Sequence, residues 1–208
     1  MPVSEEVRQL RALAKTQLFV MDLREAEASR LLAAQFGGSN PQQPIVWIDA
    51  ESELLVYPER TLVKFAPGFV FVELTVATDQ TGQATLLLAY KIGASPNEAS
   101  LTAVSETRPR GDATLATRWA GPVTRLVWFG LLRCGEVLLE RRRTKTPLEV
   151  SGVYTLGKVL SFITTAPVSA SELRQYYADV RRGDRPLDLS ILNRRHLGSV
   201  PLRRTAKR

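Results

Sequence analysis

The clearest pattern in the chain lies at residues 70–76. Val70, Val72, Leu74 and Val76 alternate with Phe71, Glu73 and Thr75, so one side of an extended backbone is uniformly aliphatic. Asp79-Gln80-Thr81-Gly82 supplies turn chemistry, and residues 84–92 return as a second strand, which predicts a hairpin. Upstream, residues 45–48, 54–57 and 61–65 are short apolar runs, the first two separated by an acidic turn. Downstream, Leu101, Ala103 and Ser105 are expected to continue the sheet, and residues 114–119 to join it. Residues 148–154 and 159–164 read as another strand pair.

Helical signals flank this block. Ser4 is placed to cap a first helix with Glu5 and Glu6 in its first turn, and Val7, Leu10 and Ala14 share one face. A second helix is expected from Asp22, which has capping-box spacing to Glu25, through Leu31 and Leu32 to Phe36. Gly37 and Gly38 would end it. A last helix is signed by Ser169 with Glu172 and by Val168 with Leu173; Tyr176, Tyr177 and Val180 extend its apolar stripe to Gly183.

Residues 122–143 fit two patterns. As a helix, Pro122 suits the first position, and Arg125, Arg133, Glu136 and Glu140 fall on one narrow face, with Phe129 as a misfit. Gly130 and Gly135 weaken that helix by about 1 kcal/mol each relative to alanine. The alternative is a hairpin turning at Cys134-Gly135; the helix is the favoured reading. Together these elements predict an α+β fold. A curved antiparallel sheet from residues 45–120 and 148–165 is packed by a few helices in a single domain, 1–184. An extended basic C-terminal arm, 185–208, follows.

Composition narrows the chemistry. At 44% hydrophobic and 24% charged, a chain of 208 residues can bury a sizeable core without staples. Cys134 is the only cysteine, which excludes an intramolecular disulfide and a four-cysteine zinc site. The first residues show no basic stretch leading into an apolar one, and no apolar run approaches the roughly 20 residues needed to span a bilayer. A cytoplasmic protein without a membrane association is therefore expected.

The charge of +7 is uneven. Residues 1–60 hold 6 basic and 9 acidic residues, residues 61–180 hold 13 and 10, and residues 181–208 hold 9 and 2. A basic end on a near-neutral body suits a polyanionic or acidic partner. Within the arm, Leu187, Leu189 and Ile191 alternate as a docking strand would, and Arg194, Arg195, Arg203, Arg204, Lys207 and Arg208 follow. A second basic cluster, Arg141, Arg142, Arg143 and Lys145, closes the helical pattern, where cations also favour the helix dipole.

Little points to catalysis. His196, the only histidine, sits between Arg195 and Leu197 with no visible partner, and Cys134 lies among leucines that would keep it inert. Asp49, Glu51 and Glu53 read as a solvated turn, and the two Arg-Gly-Asp triplets, at 110–112 and 182–184, as turn and helix-end chemistry. No nucleotide-binding glycine loop, nucleophile elbow or metal-binding motif occurs. No catalytic residue, cofactor or metal is expected. The expected function is a non-enzymatic binding or assembly protein, an oligomer or a subunit of a nucleoprotein or virus-like complex. It would contact nucleic acid or an acidic protein surface through the basic residues named above. The alternative is an enzyme or small-ligand-binding protein whose pocket within the curved sheet is lined by Trp47, Tyr57, Phe71, Tyr90 and Trp128, although ordinary core is the favoured role for these aromatics.

Overall fold

The structure, a computed structural model, describes residues 19–37, 40, 42–49, 52–104, 110–142, 148–165, 175, 178–179 and 181–184. The element order is β1 (Phe19–Arg24), α1 (Glu25–Gly37), β2 (Ile45–Asp49), β3 (Ser52–Ala66), β4 (Phe69–Thr78), β5 (Gly82–Lys91), α2 (Ala113–Arg142), β6 (Glu149–Thr155) and β7 (Val159–Thr165). The class is α+β, as expected, but the strands form two antiparallel sheets where one was expected. Four strands run in the order β2-β3-β4-β5 and three in the order β1-β7-β6. Bridges from Gly93 to Tyr154 and from Ser100 to Val153 join the two, and one core serves both.

The β4–β5 hairpin is the centre of the larger sheet. Val70, Val72, Leu74 and Val76 are fully buried, and Val70 pairs with Tyr90, Val72 with Leu88 and Leu74 with Leu86. At the turn Gly82 takes φ +61°, a left-handed conformation that glycine adopts without strain. β3 joins two of the apolar runs into one strand through an irregularity: Tyr57 faces Thr75 but Leu62 faces Glu73. Extra residues around Pro58 shift the alternation by one, so Leu54 and Val56 before the bulge and Val63 and Phe65 after it all point inward. β2 covers the outer edge of β3 only as far as Val56. Beyond that α1 takes over. Ser29 Oγ accepts a hydrogen bond from the Val63 amide at 2.8 Å, and Glu25 Oε1 one from the Phe65 amide at 2.7 Å. A free strand edge is thereby closed by helix side chains rather than by another strand.

Three expectations are corrected. Asp22 lies in β1, not at a helix cap; it accepts a hydrogen bond from Ser161 Oγ at 2.7 Å, and α1 starts at Glu25. The buried Met21 and Leu23 show the strand period that the Asp22–Glu25 spacing obscured. Residues 114–119 are helical, and α2 runs unbroken across Pro122, which sits inside the helix rather than at its start. The hairpin at Cys134-Gly135 is excluded. Leu115, Trp119, Val123, Val127 and Leu131 form a continuous buried stripe along α2. Burying those side chains, at about 1.5–3 kcal/mol each, outweighs the roughly 3 kcal/mol that an internal proline costs. Finally, residues 100–104 contribute isolated bridges rather than a strand, with Val104 pairing with Lys91. The first expected helix, most of the last one, and Ser105 lie outside the described residues.

Candidate functional site

α2 carries Arg118, Arg125, Arg133, Arg141 and Arg142. Asp112 opens the helix: its Oδ1 accepts hydrogen bonds from the amides of Thr114 at 2.9 Å and Leu115 at 3.2 Å. The first Arg-Gly-Asp triplet is thus structural. Arg110 exchanges backbone hydrogen bonds with Leu87, and Gly111 fits where a Cβ would come within 2.7 Å of Leu86 and of the Thr85 carbonyl. Further along, Gly130 and Gly135 set how closely the helix can pack. A Cβ at Gly130 would stand 2.6 Å from Leu32 on α1, and one at Gly135 would strike the Phe162 ring on β7. These glycines weaken the helix as the sequence implies, and the packing requires them.

The helix spans about 45 Å at about 1.5 Å per residue. It carries five arginines and two glutamates. Arg118, Arg125, Phe129 and Arg133 lie on its exposed side, with Phe129 41% exposed. Both glutamates are spent on one arginine: Arg133 pairs with Glu136 and, at 3.2 Å, with Glu140. The hydrogen bond that Arg133 donates to Glu136 raises the guanidinium pKa above its ordinary value. Arg118 donates to Ser52 Oγ at 3.1 Å. Of the basic cluster expected at 141–145, Arg141 and Arg142 occupy the exposed last turn of α2. Arg141 pairs with Glu27 on α1 at 3.3 Å, whereas Arg142 has no ion-pair partner among the described residues. Exposed pairs of this kind contribute about 0–1 kcal/mol, so Arg141 can exchange its partner at little cost.

Arg143, Lys145, Arg194, Arg195, Arg203, Arg204, Lys207 and Arg208 lie outside the described residues, as do Leu187, Leu189, Ile191 and His196. The sequence reading missed Arg118 as a member of the helix face because residues 114–119 were expected to be a strand. It also missed Glu27, which is 114 positions from Arg141 and carries no local signal.

The aromatics of the alternative reading do not converge on one pocket. Tyr90 and Trp128 pack together in the core, ring centres 5.4 Å apart. The Tyr90 hydroxyl donates to the Thr124 carbonyl at 2.8 Å, and Trp128 Nε1 donates to the Leu101 carbonyl at 3.0 Å. Burial raises the Tyr90 hydroxyl pKa well above its ordinary value. Trp47 packs edge-on against Phe36, Tyr57 lies under Arg60, and Phe71 stacks on Phe69. A cleft of about 410 Å³ does open elsewhere, between the first turns of α2 and the β2–β3 and β4–β5 turns, and Glu53, Asp79 and Arg118 reach its wall.

Cys134 is fully buried and donates to the Gly130 carbonyl at 3.2 Å; burial pushes its thiol up to about 12, which keeps it neutral and unreactive. Among the described residues no cluster of histidine, cysteine or acidic side chains could hold a metal ion, and no helix is long and apolar enough to cross a membrane. No protein-family model, curated protein or solved structure matches the chain.

Proposed function

We propose that this chain is a non-enzymatic binding and assembly protein that contacts nucleic acid through a basic C-terminal arm, residues 185–208, appended to a single α+β domain, residues 1–184. The observation that carries the reading is the charge distribution: 9 basic against 2 acidic residues in 181–208, on a body that is nearly balanced. The last turn of α2 supports it. Arg141 and Arg142 are exposed there, immediately before Arg143 and Lys145 in the chain. Together with the arm they supply enough cations to meet several phosphates at once. An acidic protein surface would use the same charges, and a nucleoprotein or virus-like complex is the kind of assembly that combines both. A cytoplasmic setting suits a chain whose single cysteine can form no intramolecular disulfide.

The test is binding of the full chain to single- and double-stranded DNA and RNA as a function of salt. Each phosphate neutralised on duplex DNA contributes about 0.9 to the slope of log K against log salt. Removing residues 185–208 is expected to weaken binding and flatten that slope. Absence of any affinity at low salt would sink the proposal.

A further inference from the structure

The four-stranded sheet has an outer face that no described element covers. Both helices pack on the other side, where Phe36 of α1 meets Trp47 and Thr124 of α2 meets Tyr90. The outer face nonetheless carries large apolar side chains among its charged and polar ones. Ile48, Leu62 and Val104, 57%, 50% and 65% exposed, all belong to it. Their registers place them there: Ile48 pairs with Glu53, next to the buried Leu54, Leu62 pairs with Glu73, and Val104 pairs with Lys91. Between them lie the stacked rings of Phe69 and Phe71, half-buried, and Leu87. Single exposed aliphatics are ordinary; several on one sheet face, interleaved with Lys64, Glu73 and Lys91, suit a mixed interaction surface.

We infer that this face is a self-association surface, occupied by the same face of a second copy of the chain. Three features select a second copy over other occupants. The first is size. Ten-residue strands at about 3.4 Å per residue, three to four of them about 4.8 Å apart, make a strip about 34 Å long and about 15–19 Å wide. That is about 500–650 Å² per copy, below the ~800 Å² of a standard interface but enough for two copies together to clear the ~1,000 Å² a specific one needs. The second is charge. The chain as a whole carries +7, but Lys64, Lys91 and Arg110 against Glu53 and Glu73 leave this face close to neutral, which does not suit a polyanion and lets two copies approach. The third is self-complementarity. Lys64 and Glu73 sit side by side on the central strands, 3.6 Å apart. In face-to-face packing about a two-fold axis near that pair, each Lys64 meets the partner's Glu73, so the interface answers its own charges. This inference does not depend on the arm or on nucleic acid.

The experiment is sedimentation of the full chain across a concentration series, with circular dichroism to confirm folding. The wild-type chain is expected to dimerise. Leu62→Glu, a change at an exposed position, is expected to leave a folded monomer. Lys64→Glu and Glu73→Lys are each expected to raise the dissociation constant about tenfold or more, because each sets like charges opposite one another. Mixed one to one, those two variants are expected to associate again, since every facing pair then has opposite sign. A monomeric wild-type chain, a Leu62→Glu variant that stays dimeric, or a mixture that remains as weak as its components would each overturn the inference. So would a chain that dimerises only after residues 185–208 are removed, which would make the arm the occupant of the face.

Discussion

The two faces of the four-stranded sheet both carry large apolar residues, which meet different fates. On the inner face Val72, Leu74, Leu86 and Leu88 are at most 1% exposed, sealed by α1 and α2. On the outer face Leu62 stays half exposed, and Phe71 and Leu87 are only partly covered. In β4 the distinction is written in the sequence, because Glu73 and Thr75 mark the outward side. In β5 it is not: residues 86–90 are Leu-Leu-Leu-Ala-Tyr, apolar in both directions, and only pairing with β4 decides that Leu87 faces out. Hydrophobicity therefore tells which residues seek cover, while the fold decides which of them find it within one chain.

Substitutions that probe this contrast have graded effects. Leu74→Ala on the inner face is expected to cost about 2–5 kcal/mol of stability, the usual range for a buried leucine. Leu62→Ala on the outer face is expected to cost the monomer no more than about 0.5 kcal/mol. Equal shifts in urea midpoints at low protein concentration would erase the distinction between the faces. Gly135→Ala asks whether the inner packing or the helix propensity of α2 prevails. Propensity alone would stabilise the helix by about 1 kcal/mol. The Phe162 ring in the way reverses the sign, and a loss of about 1–3 kcal/mol is expected from overpacking. A higher melting temperature for this variant would contradict the close approach of α2 to β7.

Smaller effects fall at the sheet's edge and on the helix surface. Ser29→Ala leaves the Val63 amide without its acceptor and is expected to cost about 1 kcal/mol. The readout is faster hydrogen exchange at that amide, with the inner-face amides of β4 unchanged. Smallest in stability is Arg141→Ala, at about 0.5 kcal/mol or less for an exposed pair. Its affinity for nucleic acid is nonetheless expected to fall. A variant with full affinity at low salt would remove Arg141 from the contact surface.

The sequence showed the α+β class, the β4–β5 hairpin with its turn, the β6–β7 pair and the end of α1 at Gly37, because each rests on local periodicity or turn chemistry. It misread what depends on distant partners. Asp22 has the spacing of a cap, yet pairing with β7 makes it a strand residue. Residues 114–119 were expected to join the sheet and Pro122 to start the helix after them, yet the buried stripe through Trp119 and Val123 carries the helix across the proline. The split into two sheets had no local signal at all. For the candidate site, Arg141 and Arg142 were visible as a charge run, while Arg118 was seen to share the exposed side of α2 with Arg125 and Arg133 only once the helix was seen whole.

Association is tested most directly by the mass of the full chain in solution, alone and then with a short nucleic acid. A dimer alone and a discrete larger complex with nucleic acid is the expected result, one step for the sheet face and one for the basic arm. A chain that stays monomeric in both conditions would contradict both the covered outer face and the proposed function.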